Sequence, residues 1–358
     1  MNLAEIKYQK LIVWYFSGTG NARFAAESIA GNAREKEVNS LVFNLAEHNE
    51  KITSPGKETL LGFCFPTHGF NASPIVLKFL WNFPKGNSDV FLLNTRAGLK
   101  LSKLHIPGIG GLALWITALI LVFKGYRVIG FRPLDMPSNW ISLHPGVRNK
   151  VASSIHKHCT QTLKNFTNRI LQGKRVLNGF LWLPIDLLVS PISLGYYWFG
   201  RFALAKSFFA SSACNNCNLC IEECPVNAIL EKDGRPFWTF KCESCMHCMN
   251  VCPHRAIETA HAYLFPLWWL AFSLLPYWIM KELYRFGYIP GDFYQQYFDL
   301  IFYAIMIPVG FVLMFLGYEL LHWLLGFKSI NKFITYTSLT HYSWWRRYLV
   351  ERHKKKMI

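Results

Sequence analysis

The chain has 358 residues, room for two domains with additional elements. Its residues are 52% hydrophobic, 16% aromatic and only 16% charged, against about 25% charged in soluble domains, which argues against an ordinary soluble enzyme and for membrane association. The formal charge of +17 would suit nucleic acid or an anionic bilayer. Because the basic residues gather beside apolar stretches (Lys174-Arg175, Arg201, Arg346-Arg347, Lys354-Lys355-Lys356), membrane lipid is the expected partner and nucleic acid is not.

Residues 1–10 are polar and the apolar run after them is short, so no secretory signal is expected there. Residues 11–16 form a continuous β-rich run, followed by Ser17-Gly18-Thr19-Gly20-Asn21 and a helical pattern through Arg34. Strand, tight glycine loop and helix together point backbone N–H groups and hydroxyls at a phosphate. A dinucleotide fingerprint would need a third glycine where Arg23 stands, and no Gly-Lys-Ser/Thr follows to make a Walker loop. Hydroxyls at Ser17 and Thr19 with Asn21 suit a phosphate monoester bound without lysine.

Further strands are expected at 41–45, 60–65, 90–94 and 127–131, with helices at 74–81, 110–123 and 147–171. This alternation predicts an α/β doubly wound parallel sheet, with ligands beyond the carboxyl ends of its strands. Those ends carry Ser17–Asn21, then Pro66-Thr67-His68-Gly69-Phe70-Asn71, then Asn94-Thr95-Arg96-Ala97-Gly98. Three such loops on one edge, with flat side chains in the second, would hold a phosphate and a stacked ring. Residues 110–123 are too short to cross a bilayer and are read as a buried helix. Cys64 and Cys159 read as buried small apolar residues. His105, His144, His156 and His158 have no ligand-like company and read as surface or helix-face residues.

Residues 177–200 are apolar but contain Asp186, Pro184 and Pro191, with basic residues at both ends. A full crossing would place what lies before and after it on opposite sides of a membrane, so an interfacial or re-entrant segment is expected, the alternative being a linker buried between domains. The cysteines follow in two copies of one spacing: Cys214, Cys217, Cys220, Cys224 and then Cys242, Cys245, Cys248, Cys252, each copy closed by a proline (Pro225, Pro253). Three thiolates two residues apart wrap one corner of an iron–sulfur cube, and the fourth ligates the other cube. The expected ligand sets are therefore Cys214, Cys217, Cys220 and Cys252 for one [4Fe–4S] cluster, and Cys242, Cys245, Cys248 and Cys224 for the second. Zinc sites usually use two separated pairs and do not call for the third Cys-x-x-Cys step or the terminal Cys-Pro. Clustered thiolates of this kind fit a reducing compartment.

Ser17-Gly18-Thr19-Gly20-Asn21 resembles the FMN phosphate loop of flavodoxins, and the order of elements matches over about residues 10–170. Together with the cysteine repeats, the chain resembles the bacterial flavodoxin–ferredoxin fusion family, here with added membrane segments. Phe65-Pro66, Gly110-Gly111-Leu112-Ala113 and Met136-Pro137-Ser138-Asn139-Trp140 extend the match. The resemblance implies a flavodoxin-like domain, a small α+β ferredoxin domain with two [4Fe–4S] clusters, and FMN contacts from all three loops. By position it implies Ser17, Thr19 and Asn21 on phosphate within the Ser17–Asn21 loop, His68 and Phe70 of the loop Pro66, Thr67, His68, Gly69, Phe70 on the isoalloxazine faces, and Thr95, Arg96, Ala97 and Gly98 at the ring edge.

Residues 262–280 and 300–318 are uncharged, aromatic-ended runs close to the ~20 residues that cross a bilayer, and predict a transmembrane α-hairpin. Glu319 and His322 near the end of the second run offer a quinone head-group pocket, or simply the hydrated end of a helix. The residues after 327 are strongly basic, so that end, and with it both redox domains, is expected on the cytoplasmic face of the inner membrane. The expected division is 1–172 flavodoxin-like, 173–207 linker, 208–260 ferredoxin-like, 261–327 transmembrane and 328–358 basic tail. Flavin takes one or two electrons and a cube takes one, so the combination points to an electron-transfer protein whose partner is a redox protein or a quinone-like acceptor. An FMN-dependent reductase of a lipid-phase substrate and a redox sensor are the alternatives.

Overall fold

The computed structural model describes residues 6–48, 52–53, 56–102, 104–289 and 296–347. Its first part alternates strand and helix: β1 (Lys10–Tyr15), α1 (Asn21–Arg34), β2 (Asn39–Asn44), β3 (Thr59–His68), β4 (Asn71–Ala72), α2 (Pro74–Asn82), β5 (Asp89–Leu101), β6 (Leu104–Ile106), α3 (Ala113–Phe123), β7 (Arg127–Pro137) and α4 (Asn149–Leu171). The long strands pair in parallel in the order β2-β1-β3-β5-β7, while β4 and β6 are antiparallel hairpin partners of β3 and β5. That strand order is the flavodoxin-like form of the doubly wound sheet.

Alternation along β1 explains why helices cover both faces. Leu11 and Val13 point into a core with Ala25, Ala26 and Ile29 of α1 and Ile155, Leu163 and Phe166 of α4. Ile12 and Trp14 point the other way, against Val76 and Leu80 of α2 and Leu114 and Leu121 of α3. Cys64 and Cys159 are buried in the first of these cores.

The segment carrying Thr95, Arg96, Ala97 and Gly98 is not a loop. It continues β5, paired residue for residue with Leu134, Asp135, Met136 and Pro137 of β7. Two interactions hold this extension together. Arg96 forms an ion pair across the ladder to Asp135, at 2.7 Å, and its guanidinium lies over the Trp182 ring, 3.9 Å from the centroid.

Residues 178–205 form two short helical stretches bent by 77°, Asn178–Leu188 and Ser190–Ala205. One side of this broken element is fastened to the strand ends of the sheet domain. Asp186 accepts hydrogen bonds from the Gly111 N–H (2.8 Å) and Trp115 Nε1 (2.9 Å), and Ser193 Oγ donates to the Phe70 carbonyl (2.8 Å). The other side is apolar and bare: Leu181 and Leu188 are 79% and 78% exposed.

The cysteine module repeats itself after a shift of 28 residues, Cys214 to Cys242. Left-handed backbone recurs at Asn216 and Ser244, Asn218 and Met246, and Asn227 and Arg255. Short helices follow at Leu219–Glu222 and His247–Val251, and strands at Ile229–Lys232 and Ile257–Thr259. Each of these strands pairs antiparallel with a partner, Arg235–Trp238 and Phe208–Ala210 respectively.

Two helices are long and apolar enough to cross a membrane, His261–Arg285 and Phe298–Leu324, with mean hydropathy 1.3 and 2.4. At a rise of 1.5 Å per residue each reaches beyond a ~30 Å hydrocarbon core. Their contact is close because small residues face large ones: Gly310 lies against Phe272 and Gly317 against Leu267, and Tyr263 Oη donates to the Gly317 carbonyl (2.6 Å). The last turns of the second helix leave the apolar pair and enter the cysteine module, where Tyr318, Leu321 and Leu325 join its core.

The basic segment after 327 is not a free tail over its described length. Lys328–Tyr336 is helical, and the chain then wraps the cysteine module and reaches the sheet domain. There Gly146 N donates to the Arg346 carbonyl (2.7 Å) and Arg346 Nε to the Gly146 carbonyl (2.9 Å). The run Lys354-Lys355-Lys356 lies outside the described residues.

Candidate functional site

The two cysteine runs arrive as two groups that interlock. Cys214, Cys217 and Cys220 line one pocket together with Cys252 and Pro253, although Cys252 belongs to the second run. Cys224 in turn is an electrostatic neighbour of Cys242 and Cys245. Backbone N–H groups point at sulfur in matching places: Ala228 N to Cys224 Sγ and Ala256 N to Cys252 Sγ, both 3.3 Å. None of the ten cysteines is paired in a disulfide, and among the described residues no three Cys, His, Asp or Glu side chains converge tightly enough to chelate a single ion.

Thiols packed this way resist ionisation unaided. Burial, then the neighbouring cysteines, pushes Cys220 up to about 12. Burial likewise pushes Cys242 up to about 12 and Cys245 and Cys248 up as well. Eight thiolates held side by side require a cationic centre between them, and the N–H···S contacts are the kind that set a cluster's potential. The donor set therefore fits two iron–sulfur cubes, one for each interlocked quartet.

The Ser17–Asn21 loop has the donors for a phosphate. Ser17 Oγ accepts from Gly20 N (2.9 Å) and Thr19 Oγ1 accepts from Asn139 Nδ2 (2.6 Å). With an acceptor lone pair used on each, both hydroxyls keep their hydrogen to donate outward. Gly20 caps α1 at φ 96°, a left-handed conformation glycine adopts without strain, so the first N–H groups of the helix face the loop. Asn21 behaves differently. Its Nδ2 is spent on the Pro137 carbonyl (2.9 Å), tying the loop to the end of β7, and its Oδ1 is left as an acceptor.

The second loop is a tight hairpin. Thr67 and His68 pair with Ala72 and Asn71, and Gly69 and Phe70 both take positive φ (52° and 63°). Phe70 is held there because its carbonyl receives Leu112 N (2.8 Å) as well as Ser193 Oγ. His68 lies edge-on to Phe16 and is buried, which lowers it to about 4 and keeps the imidazole neutral. Pro66 pairs with Thr95 where β3 meets β5, and Thr67 Oγ1 accepts from Asn94 Nδ2 (2.7 Å). Thus Ser17, Gly18, Thr19, Gly20, His68 and Gly69 gather at one edge. Arg96, Ala97 and Gly98 are instead committed to the β5–β7 ribbon, and a Cβ on Gly98 would press on Asp135.

Along this edge Asn21 Oδ1, His68 Nδ1, Asn94 Oδ1, Asn139 Oδ1 and Trp140 Nε1 are buried without a hydrogen-bond partner among the described residues. Buried polar atoms are normally paired. A group of mostly acceptors beside two hydroxyl donors matches a molecule with a phosphate, several hydroxyls and a polar ring edge, and FMN is such a molecule.

The two sites adjoin. His247 Nδ1 lies 2.6 Å from the Gly18 carbonyl and its Nε2 3.3 Å from Glu223. A Cβ on Gly18 would fall 2.7 Å from Cys245 Cβ, so only glycine lets the phosphate-type loop lie this close to a cluster cysteine. Glu243, beside Cys242, accepts from the Ile75 N–H (2.8 Å) at the start of α2. Burial raises this carboxyl to about 7, against the Ile75 N–H and Arg201. Tyr196 of the bent segment lies flat against Gly69 and edge-on to Trp140, 5.3 Å between centroids.

Several residues of this junction are absent from the sequence expectations: Glu243, His247, Tyr196 and Asn139 in its Thr19 contact. In the sequence Asp186 is only an acid interrupting the apolar run 177–200; its buried hydrogen bonds to Gly111 and Trp115 are not legible there. Glu319 and His322 are engaged with the cysteine module. Glu319 pairs with Lys232, and His322 Nε2 meets the Lys232 carbonyl (3.1 Å), so both dock the cysteine module onto the helix end.

Residues 213–257 match a family model described as a 4Fe-4S dicluster domain. The cysteine module is thus a ferredoxin-type iron–sulfur domain. Among solved structures, the chain is similar to a flavodoxin from the domain Archaea, with 14% identity, 45% of this chain and 98% of that chain covered, and a TM-score of 0.32. None of the curated proteins matches the chain.

Proposed function

We propose that the protein is a membrane-anchored electron-transfer flavoprotein. It would pass electrons between FMN and two [4Fe–4S] clusters, to or from a redox partner protein or a quinone-like acceptor at the membrane. The observation that carries this reading is the junction itself: the loop with phosphate-type donors touches Cys245 and His247 of the second cysteine run. Bound there, FMN supplies one- or two-electron chemistry and each cube one electron at a time.

The chain's own residues fix the order. Ser17 and Thr19 hold the phosphate, with the first N–H groups of α1; Asn21 and Asn139 take hydroxyl donors. Cys242, Cys245, Cys248 and Cys224 hold the cluster next to the flavin loop. Cys214, Cys217, Cys220 and Cys252 hold the outer one, where Cys217 is exposed to solvent and offers a port to a soluble partner. Gly18 and His247 set the spacing between the flavin site and the inner cluster. Neutral His68 and the Phe70 turn shape the wall, and Tyr196 closes it from the bent segment.

The bare side of that segment supports lodging at the bilayer interface, and the two long helices support anchorage. Clustered thiolates and the basic C-terminal segment favour the cytoplasmic face of an inner membrane. The residue ranges 1–172, 173–207, 208–260, 261–327 and 328–358 serve as its functional units. Absorbance and electron paramagnetic resonance spectra of anaerobically purified full-length protein test the reading. One FMN and two reducible cubes per chain are expected; absence of flavin, or clusters that cannot be reduced reversibly, would overturn it.

A further inference from the structure

A second cavity, of about 220 Å³, lies away from the cysteine module and the Ser17–Asn21 loop, between the β5–β6 hairpin, β7 and α4. Its polar lining includes Arg132, Asp135, His105, His158 and Thr162. The one carboxylate there is already neutralised: Asp135 takes Arg96 Nε (2.7 Å) and Nη2 (3.3 Å) and the Gly108 N–H (2.8 Å). Among the described residues Arg132 makes no ion pair of its own: it feels the field of Asp135, but the hydrogen bonds of that carboxylate go to Arg96 and Gly108. Arg132 Nη1 donates to the neutral Asn178 Oδ1 (3.0 Å), and its Nε is buried without a partner among the described residues. His105 and His158 bring two stacked imidazoles, 4.5 Å apart, to the same space, and Arg169 adds to the positive field around Arg132. A guanidinium stays charged even when partly buried, so the cavity is a cationic one that lacks its anion.

The rim is apolar. Leu99 and Ile106 line the cavity and are 50% and 36% exposed; Leu101 and Leu104, at the hairpin tip, are 70% and 66% exposed. Asn178, which Arg132 touches, opens the bent segment that carries the bare Leu181 and Leu188. Cationic floor, leucine rim and adjoining apolar segment suit one ligand class. We infer that the cavity binds the phosphate-ester head of an anionic lipid, with Arg132 as its main contact and the acyl chains lying along the β5–β6 hairpin. The phosphate chemistry stands on the cavity alone; lipid as its source rests on the membrane reading above.

The test is calorimetric titration of the full-length protein in a neutral detergent with three probes: dioctanoyl phosphatidylglycerol, dioctanoyl phosphatidylcholine and inorganic phosphate. Saturable one-to-one binding of the phosphatidylglycerol is expected, with the other two much weaker. Arg132→Gln should weaken binding about tenfold or more, the loss of one charge-assisted contact. His158→Ala, at an exposed position that carries little folding risk, should weaken it severalfold. Phosphatidylglycerol binding unchanged in both variants would overturn the site. Inorganic phosphate binding as tightly as the lipid would overturn the lipid assignment. Neither outcome touches membrane anchorage, which detergent dependence of solubility reads separately.

Discussion

At the residue scale, the spacing of the cysteines predicts that the two runs interlock, and Cys252 does line one pocket with Cys214, Cys217 and Cys220. Replacing Cys224 with Ala is expected to damage the cluster held by Cys242, Cys245 and Cys248 while leaving the signal of its sequence neighbours. Resonance spectra of the variant decide this, and selective loss of the other cube would reverse the ligand sets. The polarity of Ser17 and Thr19 was equally legible, whereas the turning of Asn21 to the Pro137 carbonyl depends on a contact 116 residues away. His68 gives a pH prediction. Its folded value, about 4, lies below the ordinary 6.5, so the neutral form is favoured by folding. The stability it contributes is fully present above about pH 6.5 and is lost as pH falls toward 4, with an upper bound of about 3 kcal/mol. His68→Gln should flatten the fall in thermal stability between pH 7 and pH 5. An unchanged slope would show that another group titrates.

At the scale of elements, periodicity located all five long strands and the helices between them. It missed the extension of β5 through Thr95–Gly98, because that strand is made by β7 and by Arg96 meeting Asp135 and Trp182, partners distant in sequence. The same reason hid the bend in residues 178–205. Its apolar composition was plain, but the fastening of Asp186 to Gly111 and Trp115 exists only once the sheet is built. One face is fastened and the other bare, the arrangement expected of an interfacial element under the proposed membrane reading. A Leu188→Cys variant labelled with a fluorophore should be quenched by lipid-borne nitroxides in reconstituted vesicles and protected from aqueous iodide. Quenching by iodide alone would place this face in water.

At the scale of the whole molecule, the two apolar helices form a hairpin whose start and finish both meet the cysteine module. Only Ala260 separates the strand at Ile257–Thr259 from the helix that begins at His261, and Tyr318 returns with its hydroxyl between the Trp238 N–H (3.0 Å) and the Phe208 carbonyl (3.2 Å). The sequence announced the hairpin by hydropathy. It did not announce that the basic segment after 327 wraps back over both domains, because its charges marked only a basic tail until Arg346 is seen paired with Gly146. The segment after 327, the bent segment and Glu243 together clamp the sheet domain to the iron–sulfur domain, so the Ser17–Asn21 loop and Cys245 are neighbours within one chain.

That adjacency is most directly tested by the rate at which clusters are reduced after the flavin is reduced by a light flash, followed over a range of protein concentrations. Transfer within the chain gives a first-order rate that does not change with concentration. A rate that rises in proportion to concentration would mean that electrons pass between molecules, and the junction at Gly18 would have no part in them.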